Sequence, residues 1–241
     1  MATKKKSLQT SEYIYGDPVV TDSSTIDPSI GYEDNTKVLV GLKRVSDGTL
    51  YAVELEAYEE STDYKNKKKF EATGAIIRNE DEWLDILVAP DEMNAYFTIE
   101  PTEEILDNDP RRRNYTNPTF TALDGKELTD WHIAHHENLT HDGCAVCKCI
   151  EYGENYREYW LPSAGEYNYI AKNLEKVNDI MAAIGGTEVE QIEYWTSTQH
   201  SDDHMWSYNL EDGGFHFWHS KSTEFGIRPI TTSANYILIE D

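Results

Sequence analysis

Residues 163–186 constrain the fold more than any other stretch of the chain. Ser163-Ala164-Gly165-Glu166 has the Ser-x-x-Glu spacing of a capping box, in which each end residue satisfies the other's backbone N–H. Behind it Tyr167, Ile170, Leu174, Val177, Met181 and Ile184 recur at steps of three and four, a single apolar stripe. Gly185-Gly186 supplies the left-handed stop. A helix with one apolar side must pack that side on something, and the chain on both flanks of it reads as strands.

Upstream, Lys37 to Val45 and Thr49 to Tyr58 are β-rich runs around Ser46-Asp47-Gly48, where Asp-Gly provides the positive φ of a tight turn. In the second run Tyr51, Val53, Leu55 and Ala57 alternate with Ala52, Glu54 and Glu56, giving one apolar face, which predicts a strand as far as Tyr58. Three further strands are expected at Ala72–Arg78, Trp83–Ala89 and Asn94–Ile99. Two shorter helices are expected before the capping box, one from Thr129 or Asp130 to about Leu139, the other from Cys144 to Tyr152. Downstream come Tyr194–Thr198, Met205–Leu210, Gly214–Ser220, Phe225–Ile230 and Tyr236–Glu240, with Asp212-Gly213 as a second hairpin turn. Strands, then helices, then strands define an α+β class.

Residues 1–36 are rich in Ser, Thr, Asp, Pro and Tyr without a period, and read as an extended arm. The charged run 59–69, with Lys67-Lys68-Lys69, reads as a solvated connection. It divides an N-terminal arm and hairpin (1–66) from a larger domain (67–241). Residues 101–118 read as a long surface loop, in which Arg111-Arg112-Arg113 offers a site for an anion, though in so acidic a chain internal salt bridges are the favoured role.

The formal net charge of −24 excludes nucleic-acid binding through phosphate neutralisation and docking on an anionic membrane surface. No apolar run approaches the roughly 20 residues that span a bilayer, and the Lys-rich start has no apolar segment behind it, so no signal peptide is expected. The aromatic share of 12% makes Tyr and Trp the core material, ring area with a polar handle. Cys144, Cys147 and Cys149 are too few and too clustered for a disulfide framework, which fits synthesis in a reducing cytoplasm.

Residues 194–230 interleave two kinds of side chain. Tyr194, Trp195, Ser197, Thr198, Trp206, Tyr208, Leu210, Gly213, Arg228 and Pro229 look like a frame. His200, Asp202, Asp203, His204, Ser207, His216, His219, Ser222, Thr223 and Phe225 look like free surface. With Trp218, which is either core or a stacking platform, this second set is the candidate ligand-binding face. Arg228 before Pro229 reads as a buried polar anchor.

Trp160-Leu161-Pro162-Ser163-Ala164-Gly165-Glu166, Tyr194-Trp195-Thr196-Ser197-Thr198 and Gly226-Ile227-Arg228-Pro229-Ile230 occur in that order. Together with Leu123-Asp124-Gly125-Lys126 they resemble the C-type-lectin-fold proteins of gut Bacteroidales bacteria and their phages. The resemblance covers about 120–230 and implies a lectin-like domain displayed for ligand binding, most often as a phage receptor-binding or other virion protein. Many such proteins are targets of diversity-generating retroelements, which rewrite adenine-containing codons. The candidate face is drawn from the residues such codons yield, and an ordinary polar surface accounts for the same residues.

Other chemistry is weaker. His132, His135, His136 and His141 with Cys144-x-x-Cys147 have zinc-ligand character, but no second paired knuckle follows. Asp202, Asp203, Glu211 and Asp212 offer oxygens to Ca²⁺, yet the sugar-binding loop motifs of calcium lectins are missing, and Trp206-Ser207-Tyr208 departs from their Trp-Asn-Asp strand. Ser201, His204 and Asp202 can be drawn as a triad, but no nucleophile elbow or P-loop accompanies them. The cysteines all precede Trp160, unlike those of the related formylglycine-generating enzymes.

The sequence therefore leads to a non-enzymatic, homo-oligomeric virion protein of a phage tail or head fibre, with no metal or other cofactor. Its face binds a bacterial surface glycan or protein, and its N-terminal region contacts other virion proteins. The alternative is a structural decoration or connector protein whose lectin-like domain touches only neighbouring subunits. A cell-surface adhesin is a further alternative and would require an export signal.

Overall fold

The chain changes sheet at two places, and both meet at one buried arginine. In the computed structural model, residues 36–79, 84–97, 123–135, 143–190, 193–199, 204–211, 213–216 and 219–239 are described. The first sheet contains β1 (Lys37–Arg44), β2 (Leu50–Val53), β3 (Phe70–Asn79), β4 (Leu84–Val88), β10 (Ile230–Thr232) and β11 (Ile237–Leu238), in the order β10-β4-β3-β1-β2-β11. The second contains β5 (Met93–Tyr96), β6 (Glu193–Gln199), β7 (Met205–Asn209), β8 (Gly214–His216) and β9 (Glu224–Ile227), in the order β5-β9-β6-β7-β8. The helices among the described residues are α1 (Leu55–Glu60), α2 (Gly125–His135), α3 (Ala145–Ile150), α4 (Ala164–Lys172) and α5 (Leu174–Ile184). The expected α+β class is what the chain adopts.

The first hairpin forms as its turn chemistry dictates. Gly48 takes φ 72°, and Asp47 accepts from the Thr49 N–H at 3.0 Å while pairing with Arg44. The hairpin is not a unit apart. β1 pairs along its whole length with β3, and β11 closes the far edge of β2 in parallel. The division expected at 66/67 therefore does not separate two sheets. The β2 run also ends earlier than its alternation suggests, because Leu-Glu-Ala-Tyr-Glu-Glu is strong helix-forming sequence and closes into α1 with Tyr58 buried inward.

Three apolar layers result. The main core joins Val38, Val40, Ile77, Ile86 and Val88 of the first sheet to Tyr167, Ile170, Val177 and Met181 of α4 and α5, and to Tyr194, Tyr208 and Phe215 of the second sheet. The opposite face of the first sheet is covered by Tyr236 and Leu238 over Leu39, Ala52, Ile76 and Leu87. The opposite face of the second sheet holds Trp195, Phe97, Met205 and Ile227 under Cys144, Val146 and Cys149 of the α3 segment.

The capping box at Ser163 forms in both directions, and Gly185 ends α5 at φ 76°. The single expected helix is two. At Asn173 the backbone leaves helical geometry (φ −113°, ψ 18°), and its side-chain amide donates to the Tyr169 carbonyl at 2.9 Å, competing with the continuing ladder. Another helix, α2, begins a turn before the cap positions expected for it. Thr129 is buried inside it and exchanges hydrogen bonds with the Leu161 backbone, and Asp130 pairs with Lys126 at 2.6 Å. The arm before Thr36 and the 101–118 loop with Arg111–Arg113 lie outside the described residues.

Arg228 is fully buried, as expected of an anchor. Its guanidinium meets Glu92 at 2.9 Å and donates to the carbonyls of Ala89 (3.2 Å), Thr187 (3.1 Å) and Glu188 (2.9 Å). Ala89 and Glu92 flank the passage from β4 to β5, Arg228-Pro229 is the passage from β9 to β10, and Thr187-Glu188 follows α5. One planar fork thus ties the three connections that hold the sheets and helices in register.

Candidate functional site

Strand register sorts the 194–230 segment into two faces. Tyr194 lies opposite Tyr208, and Tyr208 opposite Phe215. Cross-strand partners point to the same side of a sheet, so these rings form one face, with Tyr167 stacked 6.3 Å from Tyr208 at 9°. Trp195 lies opposite Ser207, and Ser207 opposite His216, with Glu193 and Asn209 the next pair along. This second face carries the candidate residues.

On it, Glu193 is the hub. Its Oε1 accepts from Ser207 Oγ at 2.7 Å and from His216 Nδ1 at 2.5 Å, and lies 3.1 Å from His219 Nε2. The side chains of Glu193, His216 and His219 retain 14%, 14% and 24% exposure, so the group is set into the surface while still reachable from solvent. Burial pushes the His219 imidazolium pKa below its usual value, with Glu193 opposing and His216 and His204 adding to the shift. His204 is half-buried and bridges Ser220 across the loop that carries His219.

Phe225 connects this polar group to the core. Its ring lies 4.7 Å from Trp195 and meets the His219 ring edge-on at 4.7 Å. Trp195 is fixed in turn, because its indole N–H donates to the carbonyls of Ala95 and Thr223 at 3.0 and 3.1 Å. Ser222 is exposed and hydrogen-bonds Ser220, and Thr223 is half-buried.

Of the expected face, His216, His219 and Phe225 are brought together by ring contacts, His204 and Ser222 join them through Ser220, and Thr223 follows in the same loop. Ser207 is not free surface but fully buried, because the register places it beneath His216 with Glu193 above it. His200, Asp202, Asp203 and Trp218 lie outside the described residues, and with Asp202 the Ser201-centred triad and the Ca²⁺ oxygens of Asp202 and Asp203. Trp206 packs in the core against Phe215. Glu193 escaped sequence reading. The signal was its parity with Trp195 and the hairpin at Asp212-Gly213, which together set the register.

The three cysteines of the α3 segment are buried in the core beneath the second sheet's outer face. Cys144 caps α3, its sulfur accepting from the Cys147 N–H at 3.0 Å, and Cys149 is fully buried, which raises its thiol pKa well above normal. His132 Nε2 lies 2.9 Å from the Ser197 carbonyl, in the contact between α2 and β6. The side chain of His135, and His136 and His141, lie outside the described residues.

A second concavity of about 740 Å³ lies on the first sheet, lined by Arg78, Asp85, Trp160, Glu166 and Tyr236 among others. Its charged groups are engaged internally. Arg78 meets Asp85 at 3.1 Å and the Ser233 carbonyl at 3.1 Å, and Glu166 closes the capping box.

No protein-family model matches the chain, and no curated protein matches it. A solved structure of a fimbrial protein from Bacteroides ovatus ATCC 8483 is similar over 60% of this chain, at 13% identity and a TM-score of 0.47. This chain spans 35% of that protein's length.

Proposed function

We propose that this chain is a displayed ligand-binding protein with a C-type-lectin-like domain, acting in a phage virion as a receptor-binding component of a tail or head fibre. Its target is a glycan or protein of the bacterial surface. The observation that carries this reading is the sorting of residues 193–225 into an aromatic face locked into the main core and an opposite face where His204, His216, His219, Ser222 and Phe225 gather. At the exposed position Ser222 a side chain changes at small cost to stability, typically within about 0.5 kcal/mol, while Trp195 and Tyr208 keep their geometry. Polar, adaptable groups around a rigid aromatic base are what paratopes use. In this reading the chain is not an enzyme.

Attachment to other virion proteins belongs to the region before Lys37. β1 already pairs on both sides and β2 is flanked by β1 and β11, so the hairpin has no strand edge to lend to a neighbour. Homo-oligomerisation is part of the proposal, because several weak sites displayed together gain avidity.

The test is adhesion. The purified chain, clustered on beads, is offered to a panel of Bacteroidales cells and to their isolated surface polysaccharides. Binding to a subset, lost on combined His204→Ala and Ser222→Ala substitution with an unchanged thermal melt, is expected. Binding that ignores these substitutions, or burial of residues 204–225 against neighbouring subunits in the assembled particle, refutes the reading and returns the protein to a connector role. Sequencing codons 190–232 across a propagated population separately tests diversification, which predicts changes confined to adenine-containing codons.

A further inference from the structure

We propose that Glu193, His216 and His219 form a binding site for a divalent transition-metal ion, of which Zn²⁺ is the expected occupant. Each of the three offers one ligand atom, and these atoms lie within 4.8 Å of one another. They come from β6, from the end of β8 and from the loop three residues beyond it, so the fold, not a local motif, gathers them.

The spacing suits a small ion. Four donors at about 2.0–2.1 Å around tetrahedral zinc stand roughly 3.3 Å apart. Glu193 Oε1 is 3.1 Å from His219 Nε2 and 2.5 Å from His216 Nδ1. The second distance is that of a hydrogen bond, with a proton where the ion would sit. Exchanging proton for ion requires the His216 ring to retreat by less than about 1 Å, on a side chain at the edge of the sheet. Ser207 supplies the support that metal sites use around their ligands, since its hydroxyl holds the Glu193 carboxylate at 2.7 Å from beneath.

The donor set decides the class of ion. Two imidazoles and one carboxylate suit zinc, copper, nickel or iron, whereas calcium and magnesium take oxygen ligands. Three protein ligands leave a coordination position for water or for a donor atom of a bound molecule. The cluster shares its face with the proposed receptor site, yet the inference stands without that reading, because ion uptake is measured on the isolated chain.

The experiment is calorimetric titration of the chelator-treated full chain with ZnCl₂, repeated with His216→Ala, His219→Ala, Ser207→Ala and a Cys144→Ser/Cys147→Ser variant. Stoichiometric uptake is expected. Loss of either histidine weakens it by roughly 100-fold or more, and loss of the supporting serine by roughly tenfold. The cysteine variant binds as the parent does. Co²⁺ substitution gives visible absorption without a thiolate charge-transfer band. Far-UV circular dichroism checks folding, and His219, which lies outside the strands, serves as the deciding variant where His216→Ala fails to fold. No uptake by the parent, unchanged affinity in His219→Ala, or loss confined to the cysteine variant overturns the assignment.

Discussion

Replacing Glu166 by Gln tests the central claim about the capping box, that it is a buried carboxylate and not a surface ornament. Glu166 is 3% exposed. Its Oε2 accepts from the Ser163 N–H at 2.6 Å and its Oε1 from the Trp160 indole at 3.3 Å. Burial dominates its titration and raises the pKa from 4.5 to about 7, with Asp124 adding to the rise and the hydrogen bonds opposing it. The folded state therefore holds a proton that the unfolded chain has already released. Between pH 4.5 and about 7 the folded chain binds more protons, so the stability of the fold falls as pH rises through that window. At 1.36 kcal/mol per pH unit the contribution is about 3 kcal/mol, present below the lower value and gone above the upper one. Glutamine keeps the shape and one acceptor but cannot titrate. Urea unfolding followed by tryptophan fluorescence, from about pH 5 to about pH 8, gives the difference between parent and Glu166→Gln. The other carboxylates are common to both chains and cancel. The variant is expected to gain about 3 kcal/mol relative to the parent across the range, or roughly 10 °C in melting temperature for a chain of this size. Parallel pH profiles would falsify the account of Glu166 as a buried, proton-holding group.

Three further outcomes are expected. Arg228→Ala takes the counter-charge from the Glu92 carboxylate, which keeps its bond from the Tyr194 hydroxyl, and the guanidinium donor from three carbonyls at the sheet crossings, costing about 3–5 kcal/mol in chemical denaturation, with Arg228→Lys recovering only part because it lacks the fork. Trp195→Ala removes the base under Phe225 and costs about 3–5 kcal/mol, and it abolishes binding to any ligand of this face even where the fold survives. Gly185→Ala meets no atom within 4 Å, so its cost is the left-handed backbone alone, about 1–2 kcal/mol in thermal or urea unfolding.

Legibility followed the range of the interactions involved. The capping box at Ser163, the stop at Gly185 and the turn at Gly48 were readable because each is set by residues within a few positions. Asn173 was not, since Leu174 and Val177 keep the apolar step across the break and only the amide's bond to Tyr169 reveals it. The strand-to-helix change at Leu55 was hidden because Tyr51, Val53, Leu55 and Ala57 fit a period of two while the residue types favour helix. Within the candidate site, His216, His219 and Phe225 stand out in the sequence by their polar or aromatic character amid the frame. Ser207 was misplaced and Glu193 missed for one reason, that burial on a sheet face depends on register with strands up to 23 residues away.

The two edge strands of the first sheet have a consequence for the order of events during synthesis. β4 is completed at Ile230 and β2 at Ile237, across sequence separations of 142 and 186 residues. Loop closure on that scale precedes any reward from pairing. On a ribosome, the Val53 and Val88 strands therefore emerge with an unpaired side that nothing satisfies until nearly all of the described chain has been translated. A nascent chain halted after Leu210 presents two open β edges to its neighbours on the same message, which is where aggregation of this protein would begin.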